Sequence, residues 1–333
     1  MRSIKALGAA LAAALTCMLA PAAAQETCTP SVAKESALGT SRTAEIDTTQ
    51  GPLFGFQYKD QSFLADGEVV LTFDDGPLRA YTVPVLEALA AHCTKATFFL
   101  VGRMAVADPD MVKEYARRGH TIGTHTWSHA NLRALSPARA RSEIELGFSA
   151  VQKALGKPIA PFFRFPYLSD PQGMIAHLKT RQIGMFSIDV DSKDFRTRDP
   201  GTVHRKVMGE LARARKGIIL FHDIQPSTAR ALPGLLAELK AKGYRVVHML
   251  PKATAATVAE FDGQAEKELE RRQVAVTARP LAKRALTWPV ADGLPKEPAS
   301  TKASEEARPS RRAPRPAQRK SQDGWPSSKI WLW

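Results

Sequence analysis

The chain has 333 residues, of which 44% are hydrophobic; 47 are Lys or Arg and 33 are Asp or Glu, so the net charge is +14. This length suits one large domain or two modest ones, and three cysteines are too few for a small disulfide-stapled fold. Beyond the N-terminal stretch no apolar run is long enough to span a bilayer, which excludes a multi-pass membrane protein.

The N-terminus predicts an exported protein. Two basic residues precede an apolar stretch at residues 6–20, and small residues before Gln25 suit cleavage by signal peptidase. We therefore assign residues 1–24 to a signal peptide. An N-terminal membrane anchor is the alternative, although the stretch is shorter than the ~20 apolar residues that a span needs. Export places the protein in the periplasm or outside the cell, an oxidising environment in which Cys28 and Cys93 either pair or stay free.

Much of the excess positive charge lies at the two ends of the chain. The signal peptide is basic, residues 251–333 are basic, and residues 25–250 are only mildly so. Because exported proteins rarely meet nucleic acid, and because the middle of the chain carries so little of the charge, we predict no nucleic-acid partner.

Strands and helices are predicted for the middle of the chain. Residues 25–66 lack a strand–helix rhythm and are assigned to an N-terminal lead-in that packs against the following domain. In residues 67–250 short β-branched or aromatic runs alternate with amphipathic stretches. The seven predicted strands are residues 69–73, 96–101, 120–124, 162–165, 183–188, 217–221 and 244–249.

Several predicted helices carry signals for their ends. Four begin where a capping residue stands directly before a proline, at Asp108, Ser136, Asp170 and Asp199. Three end at a glycine, at Gly119, Gly156 and Gly243. The repeated order of strand and helix predicts an α/β fold with a mostly parallel sheet, either doubly wound or closed into a barrel.

The C-terminal part, residues 251–333, is assigned to a basic tail rich in Pro and Arg, which we predict to be disordered. Residues 307–320 contain basic residues and prolines but no acidic residue. Such a segment cannot bury enough apolar area to fold alone. Weak contact of the tail with an anionic wall polymer or a membrane is one interpretation. A solvated tail without a specific partner is the other, and we favour it.

Two carboxylates and two histidines predict a metal site. Asp74 and Asp75 end the first predicted strand, where the chain bends and both side chains can face one cavity, although Asp-Asp-Gly-Pro is also ordinary turn chemistry. His125 and His129 follow the third strand, at a spacing that places two imidazoles on one side of a single turn. With Asp75 they form an Asp-His-His set with an open coordination position, as a hydrolytic metal site requires.

Three further polar clusters follow later strands. Arg164, in Arg-Phe-Pro-Tyr, either offers its planar fork to a carboxylate or is an ordinary strand-end arginine. Residues 191–195 follow the fifth strand, and His222 ends the sixth beside Asp223. His222 is either a general acid or a histidine at the edge of the core. Because all five clusters lie at carboxyl ends of predicted parallel strands, where active sites form, we infer a mononuclear metal hydrolase.

In chain order the five clusters resemble the motifs of the polysaccharide deacetylases, the NodB-type family known as carbohydrate esterase family 4. The resemblance covers residues 67–250 and lies in Thr-Phe-Asp-Asp-Gly (72–76), His-Thr-Trp-Ser-His (125–129), Arg-Phe-Pro-Tyr (164–167), Asp-Ser-Lys-Asp-Phe (191–195) and Leu-Phe-His (220–222). It implies a distorted (β/α) barrel of about seven parallel strands. It also implies removal of N- or O-acetyl groups from glycans such as peptidoglycan, chitin, chitooligosaccharides and acetylated xylan.

The resemblance assigns metal ligands and a base. The ligands are Asp75, His125 and His129, and the ion is usually Zn²⁺, with Co²⁺, Mn²⁺ or Ni²⁺ as alternatives. Asp74 becomes the general base, and Arg164 orients it. The metal lowers the pKa of a bound water, and the base removes its proton as it attacks the acetyl carbonyl.

The resemblance also assigns the remaining catalytic and substrate-binding residues. His222, tuned by Asp194, protonates the leaving amine, and the backbone N–H of Tyr167 helps to hold the oxyanion. The residues assigned to substrate binding are Leu220, which lines the pocket for the acetyl methyl group, Pro166, Phe195 and Asp191. The family's fourth motif usually ends in Asp-Trp, whereas here it ends in Asp-Phe. This change makes one wall of the sugar groove smaller and affects substrate choice more than chemistry.

The sequence therefore predicts a metal-dependent hydrolase that removes N-acetyl groups from polysaccharide containing N-acetylglucosamine. One alternative is an O-deacetylase acting on another acetylated glycan, such as xylan. The other is a catalytically silent carbohydrate-binding protein of the same fold. A serine esterase is not supported, because the sequence contains no Gly-x-Ser-x-Gly segment.

Overall fold

The computed structural model describes residues 30–58 and 63–278 and consists of a parallel sheet with helices packed around it. The strands are β1 (Arg42–Ile46), β2 (Leu53–Phe54), β3 (Glu68–Asp74), β4 (Thr97–Leu100), β5 (Thr121–Thr124), β6 (Phe162–Phe163), β7 (Gly184–Phe186), β8 (Val190–Asp191), β9 (Gly217–His222) and β10 (Arg245–Pro251). The helices are α1 (Arg79–Ala91), α2 (Gly102–Ala107), α3 (Pro109–Arg117), α4 (Pro137–Leu155), α5 (Gln172–Thr180), α6 (Pro200–Ala214), α7 (Pro226–Ala241) and α8 (Ala259–Ala278). In the part of the chain that the structure describes, no helix is long and apolar enough to cross a membrane.

Strands β3 to β9 form a distorted barrel. β3 pairs with both β4 and β9, the order continues from β4 through β5 and β6 to β7, and β8 pairs with β9. All of these pairings are parallel. Within residues 30–58 and 63–278 no ladder joins β7 to β8, so the barrel is open between these two strands. The prediction of a distorted (β/α) barrel with about seven parallel strands is confirmed.

Strand β3 shows how alternation places the first motif. Val69, Leu71 and Phe73 are fully buried and join the large cluster that includes side chains of the surrounding helices. Val70 joins a second cluster, which contains side chains of several strands of the barrel. Because successive side chains of a strand point to opposite faces, Asp74 shares the face of Val70 and points into the barrel at the carboxyl end of the strand.

The N-terminal lead-in contributes two strands that were not predicted. β1 pairs with β10, from Arg42 opposite Val247 onward, and β2 pairs with β7. Only Ala44 and Ile46 are buried in β1, and β2 has two residues, so neither segment is long enough to show a clear period of two. The lead-in is therefore part of the sheet.

The C-terminal region predicted to be disordered contains a helix. Residues Ala259–Ala278 form α8, which packs against α4 and α2. Ala265 is buried there with Val106 and Ala150, and Leu269 packs against the same cluster. Because this footprint is narrow, the helix lacks the wide apolar stripe that marks an amphipathic helix in a sequence. The predicted signal peptide, Cys28 and the rest of the predicted tail from residue 279 lie outside the described residues.

Three of the four predicted helix starts are found, and two of them have the predicted side-chain cap. The Asp108 side chain accepts a hydrogen bond from a backbone N–H of α3, and that of Asp199 accepts two from α6. Ser136 precedes α4 without such a bond, although the proline after it does begin the helix. Helix α5 begins only after Pro171, because Asp170 instead pairs with Arg133 at 3.2 Å.

Two buried histidines, His120 and His248, make the stability of the fold sensitive to acid. Burial lowers the pKa of His248 from 6.5 to about 4, and the positive charge of Lys95 adds to the shift. The folded chain binds this proton less readily than the unfolded chain. The stability associated with a neutral His248 is therefore fully present above pH 6.5, and the free energy of unfolding decreases as the pH falls from 6.5 toward 4. When the pH is lowered from 7.5 to 5, we expect the free energy of unfolding to fall by about 2 kcal/mol less in His248→Gln than in the parent. Urea unfolding at both pH values measures it, and equal losses in variant and parent would contradict the prediction.

Candidate metal centre and active site

The carboxyl ends of the barrel strands bring the predicted motif residues to one face. Asp75 follows β3, His125 follows β5, Arg164 follows β6 and His222 ends β9. Asp74 is paired in the sheet with His222, since β3 and β9 are in register along six residues. The topology thus places residues that are far apart in sequence around one cavity.

Asp75, His125 and His129 each offer one ligand atom, and these atoms lie within 4.8 Å of one another. Asp75 Oδ1 is 3.3 Å from His129 Nε2 and 3.7 Å from His125 Nε2. This oxygen is buried and has no hydrogen-bond partner among the described residues. A buried carboxylate oxygen without a donor is costly unless a cation satisfies it. The donor set therefore fits a divalent metal bound by one carboxylate and two imidazoles.

The protonation of the two histidines suits this role. His125 Nδ1 lies 2.7 Å from the carbonyl oxygen of Arg164, so it carries the proton and donates it there, which leaves Nε2 free as a ligand atom. Burial lowers the pKa of His125 well below its usual value, and it also lowers the pKa of His129. Both imidazoles are therefore neutral near pH 7, the form that binds a metal.

The loop that carries the histidines is held by α4. The backbone N–H of Trp127 donates to the carbonyl of Glu143 at 2.8 Å. The carboxylate of Glu143 accepts the backbone N–H of Ser128 at 2.9 Å and its hydroxyl at 2.8 Å. Gly147 lets the helix approach this closely, since a Cβ there would lie 2.7 Å from the carbonyl carbon of Thr126. Glu143 thus fixes the turn between the two histidines.

Replacement of Glu143 by Ala is expected to weaken zinc binding by about 10- to 100-fold, because the turn that aims both imidazoles loses two hydrogen bonds. Glu143→Gln keeps one acceptor oxygen and should fall between the parent and Glu143→Ala. Competition with a chromophoric chelator measures the affinity. Glu266→Gln is a matched control, since Glu266 forms an exposed pair with Lys153 on the surface of α8. Equal affinity of parent and Glu143→Ala would show that other contacts hold the turn.

Arg164 is fully buried beside the centre. Its guanidinium lies 4.3 Å from the ring centre of Phe99. It donates hydrogen bonds to Asp74 Oδ1 at 2.7 Å, Thr72 Oγ1 at 2.8 Å and the carbonyl oxygens of Phe186 and Ser187, each at 3.2 Å. These contacts fix one carboxylate oxygen of Asp74 and leave the other, Oδ2, 3.8 Å from Nε2 of His125. Burial raises the pKa of Asp74 to about 6, although the charge of Arg164 opposes the shift.

His222 and Asp194 form a second pair across the site. His222 Nδ1 lies 2.7 Å from Asp194 Oδ1, and the backbone N–H of His222 donates to Oδ2 of the same carboxylate at 2.7 Å. The Thr228 hydroxyl also donates to Oδ2. Burial opposes a charge on His222, but the Asp194 carboxylate outweighs it and raises the pKa of His222 to about 10. His222 Nε2 points toward Asp75, 4.0 Å from Oδ2.

The residues assigned to substrate binding differ in how far they are buried around this centre. Leu220 is buried on β9, two residues before His222 and on the same face. Phe195 is half-exposed, with its ring centre 5.6 Å from that of His222. Asp191 pairs with Lys193 at 2.5 Å and also accepts the backbone N–H of Lys193 at 2.9 Å.

Pro166 and Tyr167 form a turn after β6. Pro166 is buried, whereas Tyr167 is 66% exposed and has the left-handed φ of +58°. The Tyr167 ring meets the edge of His129 at 4.7 Å between centres. The turn therefore carries backbone and side-chain atoms of Tyr167 to the mouth of the metal centre.

No role is predicted from the sequence for three polar residues of this region, Asp223, Thr72 and Glu143. Asp223 follows His222 but lies on the opposite side, where its carboxylate accepts hydrogen bonds from the hydroxyls of Thr82, at 2.6 Å, and Tyr115. Burial raises the pKa of Asp223 to about 6. Strand alternation is the signal that places Asp223 on the opposite side from His222. The same alternation places Thr72, two residues before Asp74, on the face of the site. Glu143 carries no sequence signal, because its role depends on where α4 packs.

Comparisons with known proteins agree with this geometry. A family model described as polysaccharide deacetylase matches residues 64–185. A peptidoglycan-N-acetylglucosamine deacetylase from Listeria monocytogenes is 36% identical over 183 residues, which cover 54% of this chain and 37% of that protein. A chitooligosaccharide deacetylase from a Bradyrhizobium species is 30% identical over 216 residues, which cover 60% of this chain and 97% of that protein. The chain thus spans nearly all of the second relative but little more than a third of the first.

A solved structure shares both the fold and part of the sequence. It is a peptidoglycan deacetylase from Bdellovibrio bacteriovorus, which superposes with a TM-score of 0.60 at 34% identity and covers 66% of this chain and 61% of its own. The five motifs, the barrel and these similarities agree. The chain therefore belongs to the polysaccharide deacetylase family, the NodB-type members of carbohydrate esterase family 4.

Proposed function

We propose that this protein is a metal-dependent hydrolase that removes N-acetyl groups from polysaccharide containing N-acetylglucosamine, such as peptidoglycan, chitin or chitooligosaccharides. The observation that carries the proposal is the arrangement around Asp75. Two imidazoles face its Oδ1, the Asp74 carboxylate lies beside them, and His222 faces its Oδ2 from the other side. A base, a cation site and an acid thus surround one position that a reacting acetyl group can occupy.

The metal-ligand assignment follows from the donor set. Asp75, His125 and His129 hold the ion, Zn²⁺ in first place and Co²⁺, Mn²⁺ or Ni²⁺ otherwise. When bound, such an ion polarises the acetyl carbonyl and lowers the pKa of a coordinated water to about 7.

Asp74 is the general base in this scheme. Arg164 holds its Oδ1, so Oδ2 is the oxygen that takes a proton from the attacking water. Water adds to the acetyl carbonyl carbon, and the backbone N–H of Tyr167 donates to the resulting oxyanion. Leu220 packs against the methyl group of the acetyl.

His222 is the general acid. The carboxylate of Asp194 binds its Nδ1 and favours the protonated ring, which leaves the proton on Nε2 to be transferred to the sugar nitrogen. The carbon–nitrogen bond then breaks, and acetate and a free amine are the products. Phe195, Pro166 and Asp191 are assigned to the walls of the glycan groove.

We also propose that the protein is exported to the periplasm or secreted. Residues 1–24 are the signal peptide, residues 25–66 the lead-in and residues 67–250 the catalytic domain. The Listeria and Bdellovibrio relatives are named for activity on peptidoglycan, a polymer outside the cytoplasmic membrane, which supports this location. For the basic tail we keep the interpretation of a solvated segment without a specific partner, with weak contact to an anionic wall polymer or a membrane as the alternative.

Acetate release from chitooligosaccharides, peptidoglycan and acetylxylan in parallel tests the function. We expect the zinc-loaded chain to release acetate from an N-acetylglucosamine polymer and to lose this activity when a chelator removes the metal. Release from acetylxylan alone would favour the O-deacetylase, an alternative kept open by Phe195 in place of the usual Trp. Zinc binding and glycan binding without release from any glycan would favour the catalytically silent protein.

A further inference from the structure

The turn that carries the metal ligand Asp75 rests on a buried carboxylate. Asp223 directly follows His222 in the chain, but it lies on the opposite side from the metal centre and is fully buried. Its Oδ2 accepts hydrogen bonds from two hydroxyls, those of Thr82 on α1 and Tyr115 on α3. One carboxylate thus joins the end of β9 to two helices.

Thr82 extends this network to the far end of the turn. Its hydroxyl donates to Asp223 at 2.6 Å, and its oxygen accepts the backbone N–H of Leu78 at 2.9 Å. Leu78 stands directly before α1 and has no side chain that could cap the helix. A hydroxyl that donates one hydrogen bond and accepts another holds both of its partners. The position of Leu78 is therefore tied to that of Asp223.

The middle of the turn packs against the same carboxylate. A Cβ placed on Gly76 would overlap Asp223 Oδ1 and would lie 2.5 Å from the hydroxyl oxygen of Tyr115, so only glycine fits here. Asp223 Oδ1 is buried and has no hydrogen-bond partner in the part of the chain that the structure describes. Native proteins leave few buried oxygens unpaired. Close fit to the turn explains this carboxylate better than the stability of the core does.

The near end of the turn is Asp75, whose backbone needs such support. It has the left-handed φ of +77°, a region that favours glycine over residues with a side chain. Its N–H donates to the carbonyl of Phe99 at 3.2 Å, which is long for a hydrogen bond between backbone groups. A residue in this region keeps its conformation because the surrounding structure holds it. The contacts of Gly76 and Leu78, on its C-terminal side, supply that support.

We propose that Asp223 is a positioning residue that holds the metal ligand Asp75 at a fixed distance from His222. The proposal rests on the proposed function, because it takes Asp75 as a ligand and His222 as the acid. The ladder between β3 and β9 ends at Asp74 and His222, so the sheet alone does not hold Asp75. The hydroxyl network under the turn continues the connection beyond the ladder. His222 Nε2 and Asp75 Oδ2 are 4.0 Å apart as a result.

Zinc affinity of Thr82 variants, measured by competition with a chromophoric chelator, tests the proposal. Thr82→Val keeps the shape of the side chain but loses the hydroxyl, and we expect it to bind zinc about tenfold more weakly. Thr82→Ser keeps the hydroxyl and should restore the parental affinity. Asp223→Ala should weaken zinc binding at least as much as Thr82→Val. The two Thr82 variants decide the question even if Asp223→Ala does not fold.

Thr94→Val is the matched control for the loss of a buried hydroxyl. Thr94 is buried, and its hydroxyl donates to the carbonyl of His92 at 3.1 Å. It precedes β4, at the end of the barrel opposite to the metal centre. We expect its variant to bind zinc as the parent does. Equal zinc affinity of Thr82→Val and Thr94→Val, or equal losses in Thr82→Val and Thr82→Ser, would overturn the proposal.

The visible spectrum of the cobalt-loaded chain distinguishes a displaced ligand from a less stable fold, because the bands depend on the coordination geometry. We expect the bands to change in Thr82→Val and to match the parent in Thr82→Ser and Thr94→Val. An unchanged spectrum in Thr82→Val would contradict the proposal. Neither measurement needs turnover, so these results in a chain that releases no acetate would count against the proposed function alone. A parent that binds neither metal would overturn both.

Discussion

Replacement of Asp74 by Asn is expected to lower kcat for acetate release by about 10²- to 10⁴-fold, the usual contribution of a general base. The amide keeps the size of the carboxylate and an oxygen that can accept the hydrogen bond of Arg164, but it takes no proton from water. Zinc affinity and glycan affinity should change little, because neither the three metal ligands nor the groove is altered. Steady-state kinetics with calorimetric zinc binding on the same preparation measures both effects.

Asp47→Asn is the matched control for this substitution. Asp47 is an exposed carboxylate paired with Lys252 at 3.4 Å, so its loss removes the same charge without touching the site. We expect parental kcat in the control. A kcat for Asp74→Asn within threefold of the parent would refute the assignment of Asp74 as the base, and a parallel loss of zinc would indicate a role in holding the metal.

Replacement of Arg164 by Met is expected to lower the free energy of unfolding by about 3–5 kcal/mol, because it leaves the buried carboxylate of Asp74 without its partner. Activity should fall as well, since Asp74 loses the group that orients it. The double variant Arg164→Met with Asp74→Asn removes the uncompensated charge and should regain part of the lost stability. Denaturant unfolding of both single variants and the double variant gives the coupling energy.

Arg271→Met is the control for the loss of an arginine. Arg271 lies on α8 in an exposed pair with Glu268, and such pairs contribute at most about 1 kcal/mol. If Arg164→Met cost no more than this control, the contacts of Arg164 with Asp74 and the neighbouring carbonyls would not stabilise the site. If the change in unfolding free energy of the double variant equals the sum of the changes in the two single variants, the two charges do not interact.

The metal cluster could be predicted because its signals are local. Asp75 ends an apolar strand, and His125 and His129 are four residues apart after another, so the rule that parallel strands end on one face brings them together. The hydrogen bond between Arg164 and Asp74 followed from the family resemblance. The prediction of the metal cluster needed only sequence order and residue type.

The features that were missed depend on packing between distant segments. β2 is two residues long, and its pairing with β7 is decided by the neighbouring strand rather than by its own pattern. Glu143 caps the turn around Ser128 only because α4 packs closely, with Gly147 at the contact. The α8 helix packs through Ala265 and Leu269, too few apolar positions to give a wide apolar stripe in the sequence. Each is specified by its partner surface and not by its own residues.

The two strands of the lead-in also set where the chain can be shortened. β1 covers β10, and β2 covers β7, so a fragment that begins at residue 64, where the family match begins, would leave both strands with open edges. Unpaired backbone N–H and C=O groups along such edges recruit further strands and lead to aggregation. A fragment that keeps both edges covered therefore has to begin before Arg42, well upstream of the metal ligands.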